Sequence, residues 1–355
     1  MDIVILGPPL SGKTTLFKAL TRSATGTRDG VPVGATKIPD HRLDVLTGMF
    51  HPKKVTAAEL AYWDLPPARE QARSKGLGGP HANLLQSADA LVVVVRAFED
   101  PSVPQPSGGI DPHRDVAAMQ SELALSDLLI LEKRVERIQA NLKGAKAHER
   151  DQLLREQALL ERIKAELERE APIRQQAVKD DERALLASYQ FLTAKPLLIL
   201  FNIGEEALPQ AAALEAKLAA KYDASGVKAL ATCARLELEL SQLGPEEERE
   251  FRQSMSATSL GVGRVAQAAQ KLLGLATFLT GGEDEVRAWM VSEGLPAVKA
   301  AGKIHSDLER GFIRAEVVTF DDLAACGSMA EARRKGLLRL EGKTYPVKDG
   351  DVITV

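Results

Sequence analysis

The chain has 355 residues, enough for two or three domains, and its 45% apolar and 27% charged residues are ordinary for a globular protein. A formal net charge of −3 gives the chain as a whole no basic footprint for nucleic acid, so no DNA partner is expected. Aromatic residues make up 4%, which argues against extended base-stacking platforms. No apolar run is long enough to span a bilayer and no signal peptide opens the chain, so we expect a cytoplasmic protein without a membrane partner.

The first motif in chain order is a complete phosphate-binding loop. It follows an apolar, strand-like run at residues 2–6 and precedes a helix-like stretch at 15–20, so backbone N–H groups and a helix N-terminus should converge on a phosphate. Lys13 is predicted to reach the β- and γ-phosphates, and the Thr14 hydroxyl to bind Mg²⁺. Thr15 is included in the predicted nucleotide site. The loop matches GxxxxGK[ST] as Gly7, Pro8, Pro9, Leu10, Ser11, Gly12, Lys13 and Thr14.

Strands and helices then alternate, which predicts a doubly wound, mainly parallel α/β sheet. Continuous apolar runs, apolar on both faces, are typical of central strands in such a sheet. We place the nucleotide-binding domain at residues 1–115 and 175–275, with a helix at 182–192. The predicted strands are 2–6, 59–63, 90–96, 196–201 and 227–232.

Residues 116–174 have a different texture and predict an antiparallel helical hairpin of coiled-coil type inserted into the nucleotide domain. Leucine, isoleucine and valine recur at steps of three and four in two series, and charged residues fill most other positions. The turn is expected near Gly144. The charged residues are interpreted as a solvated face. The alternative is that the hairpin projects as an arm that reaches a macromolecular partner.

A third texture begins near Gly281 and predicts a small α+β module at residues 281–355. Short strands and helices mix there within about eighty residues. The predicted strands are 285–291, 312–318, a strand-turn-strand unit at 338–347 and 352–355, and the predicted helices begin at 297 and run from 329 to 335.

The choice of base is predicted from the strand that ends near residue 202. GTPases carry Asn-Lys-x-Asp at this place, and the aspartate accepts two bonds from guanine. Here Asn202 is present, Ile203 replaces the lysine and Glu205 replaces the aspartate with one more methylene. A displaced carboxylate leaves polar groups mispaired, so strict guanine specificity is not expected. The alternative is that Asn202 only stabilises a turn at the strand end.

With this spacing the chain resembles the Obg-like ATPase (YchF) family of P-loop proteins. The resemblance covers nearly the whole chain and implies a C-terminal β-grasp (TGS) domain, ATP bound in preference to GTP or as well as it, Mg²⁺, and association with ribosomes or RNA. It also implies nucleotide contacts from Cys233 and Ala234 and a water-mediated Mg²⁺ contact from Asp64. The matching stretches are 39–44, 121–128, 285–289, 300–315 and 347–352.

The departures from the family pattern concern γ-phosphate sensing and hydrolysis. Pro67 stands where the family has a glycine whose amide senses the γ-phosphate, and proline has no N–H to donate. Gln105 falls where the family has a hydrolysis-linked histidine; glutamine can orient a water but cannot act as a base near neutral pH. His81, at the end of the glycine-rich second switch at 76–81, could substitute only if its loop folds over the phosphate.

The first switch, at residues 21–38, is shorter than in the family. The family's Mg²⁺-binding threonine in this switch cannot be assigned among Thr25, Thr27 and Thr36.

Other polar groups are interpreted mainly as structural. Cys233 and Cys326 form no metal-ligand spacing and are predicted to be small core residues in a reducing compartment. His305 lacks a second ligand at metal spacing. The basic run 333–335 is interpreted as a solvated helix face, with contact to RNA phosphates as the alternative.

Three functional hypotheses follow. The first is a monomeric P-loop protein that binds Mg²⁺ and ATP or GTP, hydrolyses the nucleotide slowly and acts on ribosomes or RNA. The second is a hydrolysis-deficient adaptor that binds ribosomes or RNA and retains only the phosphate loop, which Pro67 and Gln105 favour. The third is a small-molecule kinase, against which the hairpin and the Asn202–Glu205 pair argue.

Overall fold

The structure is a computed structural model that describes residues 1–23, 25–66, 77, 81–106, 108–254 and 261–355. The chain forms two compact units: residues 1–34 and 61–262 make the first, and residues 35–60 and 263–355 make the second. No helix in the described ranges is both long enough and apolar enough to cross a membrane.

The secondary structure alternates along the first part of the chain and becomes mixed toward its end. The strands are β1 (Asp2–Leu6), β2 (Thr25–Arg28), β3 (Val31–Lys37), β4 (Lys54–Thr56), β5 (Glu59–Asp64), β6 (Ala90–Ala97), β7 (Leu197–Ile203), β8 (Val227–Thr232), β9 (Leu275–Thr280), β10 (Glu285–Ser292), β11 (Ala315–Thr319), β12 (Arg339–Glu341) and β13 (Asp351–Thr354). The helices are α1 (Lys13–Leu20), α2 (His41–Phe50), α3 (Ala82–Ser87), α4 (Pro112–Leu142), α5 (Ala147–Leu167), α6 (Asp180–Leu186), α7 (Ala211–Tyr222), α8 (Ala234–Leu240), α9 (Pro245–Ser254), α10 (Val262–Leu272), α11 (Ala297–Ile304), α12 (Ser306–Gly311), α13 (Phe320–Cys326) and α14 (Met329–Arg334).

The first unit is built on a seven-stranded sheet in the order β2-β3-β5-β1-β6-β7-β8. The pairs β5–β1, β1–β6, β6–β7 and β7–β8 are parallel, and the edge pair β2–β3 is antiparallel. Every residue of β7 is buried, as is every residue of β6 but the last, because these runs are apolar on both faces. The predicted mainly parallel α/β sheet is therefore confirmed.

The hairpin forms from α4 and α5, with a turn at residues 143–146. Its antiparallel pairing is visible in side-chain contacts: Arg134 binds Glu156 at 2.7 Å, and Lys164 binds Glu132 at 2.9 Å. Buried leucines and isoleucines of both helices share one apolar cluster, while most charges stay exposed. The predicted hairpin and its turn are confirmed.

The base of the hairpin is tied to the residues that lead into β7. The buried carboxylate of Asp127 accepts hydrogen bonds from the backbone N–H groups of Leu192 and Thr193 at 2.8 and 2.7 Å. Burial raises the pKa of Asp127 to about 6, although these hydrogen bonds and the nearby Arg174 oppose the shift. Arg174 donates to the carbonyl oxygens of Thr193 and Lys195.

The second unit contains a mixed six-stranded sheet in the order β12-β11-β13-β9-β10-β4. Its last strand, β4, comes from the segment 35–60 and pairs parallel to β10. Helix α2 of the same segment contacts β10 as well. The predicted domain boundaries at 115, 174, 275 and 281 remain a prediction. Nothing in the sequence indicated that the segment 35–60 belongs to the second unit.

Several predicted elements are wrong in extent. The expected strand at 312–318 begins only at Ala315, because residues 306–311 form α12. Of the strand-turn-strand unit at 338–347 only β12 forms. The helix expected at 182–192 runs from Asp180 to Leu186, and single 3-10 turns follow it. Short amphipathic segments leave such boundaries open to tertiary packing.

Candidate nucleotide-binding site

The predicted site residues come together at one edge of the first sheet. In parallel strands the carboxyl ends meet at the same edge, and ligands of such sheets bind there. The phosphate loop follows β1, Asp64 ends β5, Asn202 lies near the end of β7, and Cys233 follows β8. The topology therefore brings together residues that lie up to about two hundred positions apart in the sequence.

Two glycines of the phosphate loop occupy positions where a side chain does not fit. A Cβ on Gly7 would overlap the carbonyl oxygen of Val94 on β6. Gly12 has a φ of +86°, and a Cβ there would overlap the side-chain amide of Asn202. Both positions need glycine, so the loop backbone packs directly against the neighbouring strands.

Asn202 connects the phosphate loop to the start of α8. Its Nδ2 donates to the Ser11 carbonyl oxygen at 2.9 Å, and its Oδ1 accepts from the Ala234 N–H at 3.0 Å. The side chain is 4% exposed. The alternative role for Asn202, a local turn at the strand end, is therefore wrong, because both of its partners are distant in sequence.

Lys13 and Thr14 begin α1 and face Asp64. The Thr14 hydroxyl donates to Asp64 Oδ2 at 2.7 Å. Burial lowers the pKa of Lys13, and the nearby Asp64 carboxylate opposes that shift. Burial also raises the pKa of Asp64, against the Thr14 hydrogen bond and the charges of Lys13 and Lys18. A buried cation and a buried anion thus lie at the start of one helix.

Two buried oxygen atoms at the loop could be satisfied by a bound phosphate and metal ion. Ser11 Oγ and Asp64 Oδ1 are buried, and neither has a hydrogen-bond partner among the described residues. Native proteins seldom leave such atoms unpaired, so they point to a missing ligand. Mg²⁺ takes oxygen ligands from one or two protein groups and the nucleotide phosphates. Thr14 and Asp64 match this requirement, and the described residues hold no cluster of three His, Cys, Asp or Glu that could bind a metal alone.

The base side of the site carries Glu205, Cys233 and Ala234. Glu205 is exposed at the start of a 3-10 helix, whereas Cys233 and Ala234 are buried at the start of α8. Burial raises the pKa of the Cys233 thiol, and the charge of Glu205 adds to this rise. Glu205 also interacts electrostatically with Arg235. Glu205 therefore lies close to the start of α8, at the carboxyl ends of β7 and β8.

The sequence analysis missed two residues at the same edge of the sheet: Arg96, the penultimate residue of β6, and Phe98, which comes directly after the strand. Arg96 is buried, and a Cβ added at Gly12 would lie 4.0 Å from a ring carbon of Phe98. Arg96 had one available signal: it is the only charged residue in the run Ala90–Ala97.

The residues considered for hydrolysis are placed differently. Gln105 is exposed in the loop after β6. His81 precedes α3 and lines a cavity of about 530 Å³ with Asp2 and Trp63, so it is at the opposite end of β1 from the phosphate loop. Pro67 and, of the second-switch glycine run, all but Leu77 and His81 lie outside the described residues.

The threonines of the first switch lie in strands. Thr25 and Thr27 are exposed in β2, and Thr36 is buried in β3. None of these placements assigns the family's Mg²⁺-binding threonine.

The family-like stretch 39–44 belongs to the second unit. There Arg42 binds Asp40 at 2.7 Å and Asp349 at 2.8 Å, and both carboxylates hold its pKa above the ordinary range although burial opposes them. These residues line an open cleft of about 960 Å³ together with Phe320. The stretch therefore serves the structure of this unit.

The remaining polar candidates are engaged in local structure. His305 caps α12 by accepting from the Asp307 N–H, and its side chain is exposed. Arg333 is paired with Glu316, and Arg334 and Lys335 are paired with Glu331. Cys233 is buried and Cys326 is half-buried, and both are free thiols.

Comparisons with known proteins agree with this arrangement. The model of the family YchF-GTPase_C, described as a protein of unknown function (DUF933), matches residues 275–355. The Ribosome-binding ATPase YchF of Bacillus subtilis is 36% identical, over 98% of this chain and 97% of the relative. The protein of the same name from Escherichia coli O157:H7 is 34% identical over the same shares. The structure of the Schizosaccharomyces pombe YchF GTPase superposes with a TM-score of 0.87 at 28% identity, covering 100% of this chain and 97% of that one.

Proposed function

Since this chain belongs to the YchF family, we propose that it binds ATP with Mg²⁺ at the phosphate loop, hydrolyses it slowly and associates with ribosomes. The observation that carries the proposal is the arrangement of Lys13, Thr14 and Asp64 at the start of α1. Asn202 supports it by donating a hydrogen bond to the loop backbone. The residues below are assigned from this arrangement.

The phosphates are assigned to the loop backbone and Lys13. The loop N–H groups and the N-terminus of α1 favour negative charge, and Lys13 adds a point charge. Because Lys13 is buried, its interaction with a phosphate is screened little by water. Phosphate binding would also replace the charge of Asp64 as the main partner of Lys13.

Mg²⁺ is assigned to Thr14 Oγ1, with Asp64 accepting from a metal-bound water. When bound, the ion would neutralise charge on the β- and γ-phosphates and orient them. The buried, unpartnered Asp64 Oδ1 supports this assignment, since it lacks any other partner among the described residues. The carboxylate must be ionised for this role.

The base is assigned to the pocket edge formed by Asn202, Glu205, Cys233 and Ala234. Asn202 uses both ends of its amide on the protein itself, so it is not free to read the base. Glu205 is exposed and extends one methylene further than the GTPase aspartate. A mispaired carboxylate discriminates guanine weakly, so ATP should bind at least as tightly as GTP.

Ribosome association is proposed from the relatives, whose names state that they are ribosome-binding ATPases. The match to these relatives covers 98% of this chain and 97% of each relative. We propose a cytoplasmic protein because ribosome binding in the relatives implies that compartment, and the monomeric state remains a prediction.

A second candidate function is a nucleotide-binding adaptor that does not hydrolyse. Gln105 favours it, because the structure leaves this residue exposed in a loop and the side chain cannot take up a proton near neutral pH. Positioning and charge neutralisation alone still support slow phosphoryl transfer, which is why hydrolysis stays in the first proposal.

Two measurements separate these functions. Co-sedimentation with purified ribosomes in ATP, in ADP and without nucleotide should show association that depends on the nucleotide, and Lys13→Ala should lose that dependence. Single-turnover hydrolysis, with and without ribosomes, should show slow phosphate release. Co-sedimentation without any phosphate release supports the adaptor. Absence of co-sedimentation in every nucleotide state, alongside a relative that does sediment, contradicts both.

A further inference from the structure

Arg96 is a buried cation near the end of β6. Its side chain is 3% exposed, yet it makes no salt bridge with any carboxylate of the described residues. A charged group removed from water normally has a counter-ion or a full set of hydrogen bonds. In place of a carboxylate, Arg96 has three hydrogen bonds, one from each guanidinium nitrogen to a backbone carbonyl oxygen of the loop that follows β6.

The three acceptor carbonyls belong to residues between 98 and 104 of this loop. Arg96 donates from Nε to the Phe98 carbonyl at 3.2 Å, from one terminal nitrogen to Pro104 at 2.9 Å and from the other to Val103 at 3.4 Å. Its guanidinium also lies 4.7 Å from the centre of the Phe98 ring. A planar guanidinium offers five donors from three nitrogen atoms in a fixed geometry, whereas a lysine ammonium offers three donors from one nitrogen.

The loop has further ties of its own. Asp100 accepts from both the N–H and the hydroxyl of Ser102, and the Val103 N–H donates to the Asp100 carbonyl. These bonds from Ser102 lower the pKa of Asp100, and the charges of Arg235 and Arg96 add to the effect. Arg235, at the start of α8, lies 3.9 Å from the Asp100 carboxylate. The loop is thus held by Arg96 of β6 and by Arg235 of α8.

The position of the loop links it to the nucleotide site. Arg96 lies beside Asn202 in the register of β6 and β7. The Phe98 ring approaches the phosphate-loop glycine Gly12. Gln105 follows Pro104 directly, so the last carbonyl that Arg96 holds is one residue from the proposed hydrolysis position.

From this geometry we infer that Arg96 is a positioning residue of the nucleotide site, which holds residues 98–104 against the phosphate loop. The inference rests on the proposed nucleotide binding at that loop. Arg96 itself touches no ligand; it acts through the carbonyls of the loop. Without the Arg96 hydrogen bonds, the loop would have to become ordered when the nucleotide binds. The conformational entropy lost in that step would reduce the binding free energy and weaken the affinity.

The test compares Arg96→Met with a matched control, Arg174→Met. Arg174 also donates to backbone carbonyls, at Thr193 and Lys195. It lies against Gly226, before β8, and therefore at the opposite edge of the sheet from the phosphate loop, about one strand length or 20 Å away. Both changes remove an arginine that binds carbonyls, so both should lower the unfolding temperature.

Affinity for Mg²⁺-ATP and for Mg²⁺-ADP is measured well below the unfolding temperature of each variant. Arg96→Met should weaken both by about five- to tenfold, whereas Arg174→Met should stay within about twofold of the unaltered chain. Amide hydrogen exchange in peptides covering 98–104 should accelerate about tenfold or more in Arg96→Met alone. Arg96→Lys, which keeps the charge but not the fork, should give an intermediate loss and replaces Arg96→Met if that variant does not fold.

Unchanged affinity in Arg96→Met, or an equal loss in Arg174→Met, would overturn the inference. Wild-type affinity in Arg96→Lys would do the same, because charge alone would then suffice. If the unaltered chain binds neither nucleotide, it is the proposed function that fails, and the hydrogen-exchange comparison still decides whether Arg96 orders the loop.

Discussion

The phosphate loop and the residues considered for hydrolysis are supported by the fold in different ways. Gly12 packs against Asn202 of β7, and Thr14 is hydrogen-bonded to Asp64 of β5, so the loop is fixed by residues of two strands on opposite sides of β1. Gln105 is exposed, and His81 lines a separate cavity beside Asp2. The comparison indicates that phosphate binding is built into the sheet, whereas no described side chain is held in place as a general base at the loop.

The largest effect should come from the phosphate-loop lysine. Lys13→Ala removes a buried charge that is assigned to the phosphates, and a charge-assisted hydrogen bond contributes about 2 to 3 kcal/mol, or about 30- to 150-fold in affinity. Isothermal titration with Mg²⁺-ATP measures the loss. Lys18→Ala, on the exposed face of the same helix, is the control and should bind normally. Retained affinity in Lys13→Ala would place the nucleotide elsewhere.

Asn202 should come second, because it holds the loop without being assigned to the phosphates. Asn202→Ala removes both hydrogen bonds and leaves the Ser11 carbonyl and the Ala234 N–H without their partner. The cost is about 1 to 3 kcal/mol, shared between stability and binding. We expect about tenfold weaker binding of ATP and of GTP alike. A loss confined to one nucleotide would mean that Asn202 reads the base.

The metal site predicts a pH dependence through Asp64. Burial raises the pKa of Asp64, so its carboxylate takes up a proton at higher pH than an ordinary aspartate does. The gain in ATP affinity on adding Mg²⁺ should therefore shrink as the pH falls, and should begin to do so at a higher pH than an ordinary aspartate would allow. Titrations of ATP in Mg²⁺ and in EDTA across a range of pH measure this gain.

Asp64→Asn is the matched variant for that experiment. It keeps the shape of the side chain but cannot ionise, so both the Mg²⁺ gain and its pH dependence should disappear. A gain that persists unchanged in Asp64→Asn would remove Asp64 from the metal site.

The smallest effect is expected at Gln105. Gln105→Ala should change the single-turnover rate of hydrolysis by less than about threefold, since the side chain is exposed and is not a base. Rapid-quench measurement of phosphate release decides this. A loss of tenfold or more would show that Gln105 orients the attacking water. The residues for hydrolysis would then be held in place as the phosphate loop is.

The sequence predicted the phosphate loop and the central strands because each has a local signal. A glycine loop between an apolar run and a helix has few alternatives, and runs such as Ala90–Ala97 can only be buried. The hairpin was equally clear from its steps of three and four.

What the sequence did not show depends on contacts between distant segments. Strand β4 has three residues and only acquires its role by pairing with β10, about 230 positions away. Asn202 could not be distinguished from a turn residue until its partners, Ser11 and Ala234, were known. The role inferred for Arg96 depends on carbonyl oxygens, which every residue carries and no sequence motif marks.

The most direct test of the central claim, that a phosphate loop of this kind binds ATP without a strict guanine requirement, is a pair of equilibrium titrations of the full chain with Mg²⁺-ATP and Mg²⁺-GTP. We expect saturable binding of both nucleotides at one site per chain, with ATP at least as tight as GTP. Strong preference for GTP would contradict the assignment of Glu205, and failure to bind either nucleotide would contradict the account as a whole.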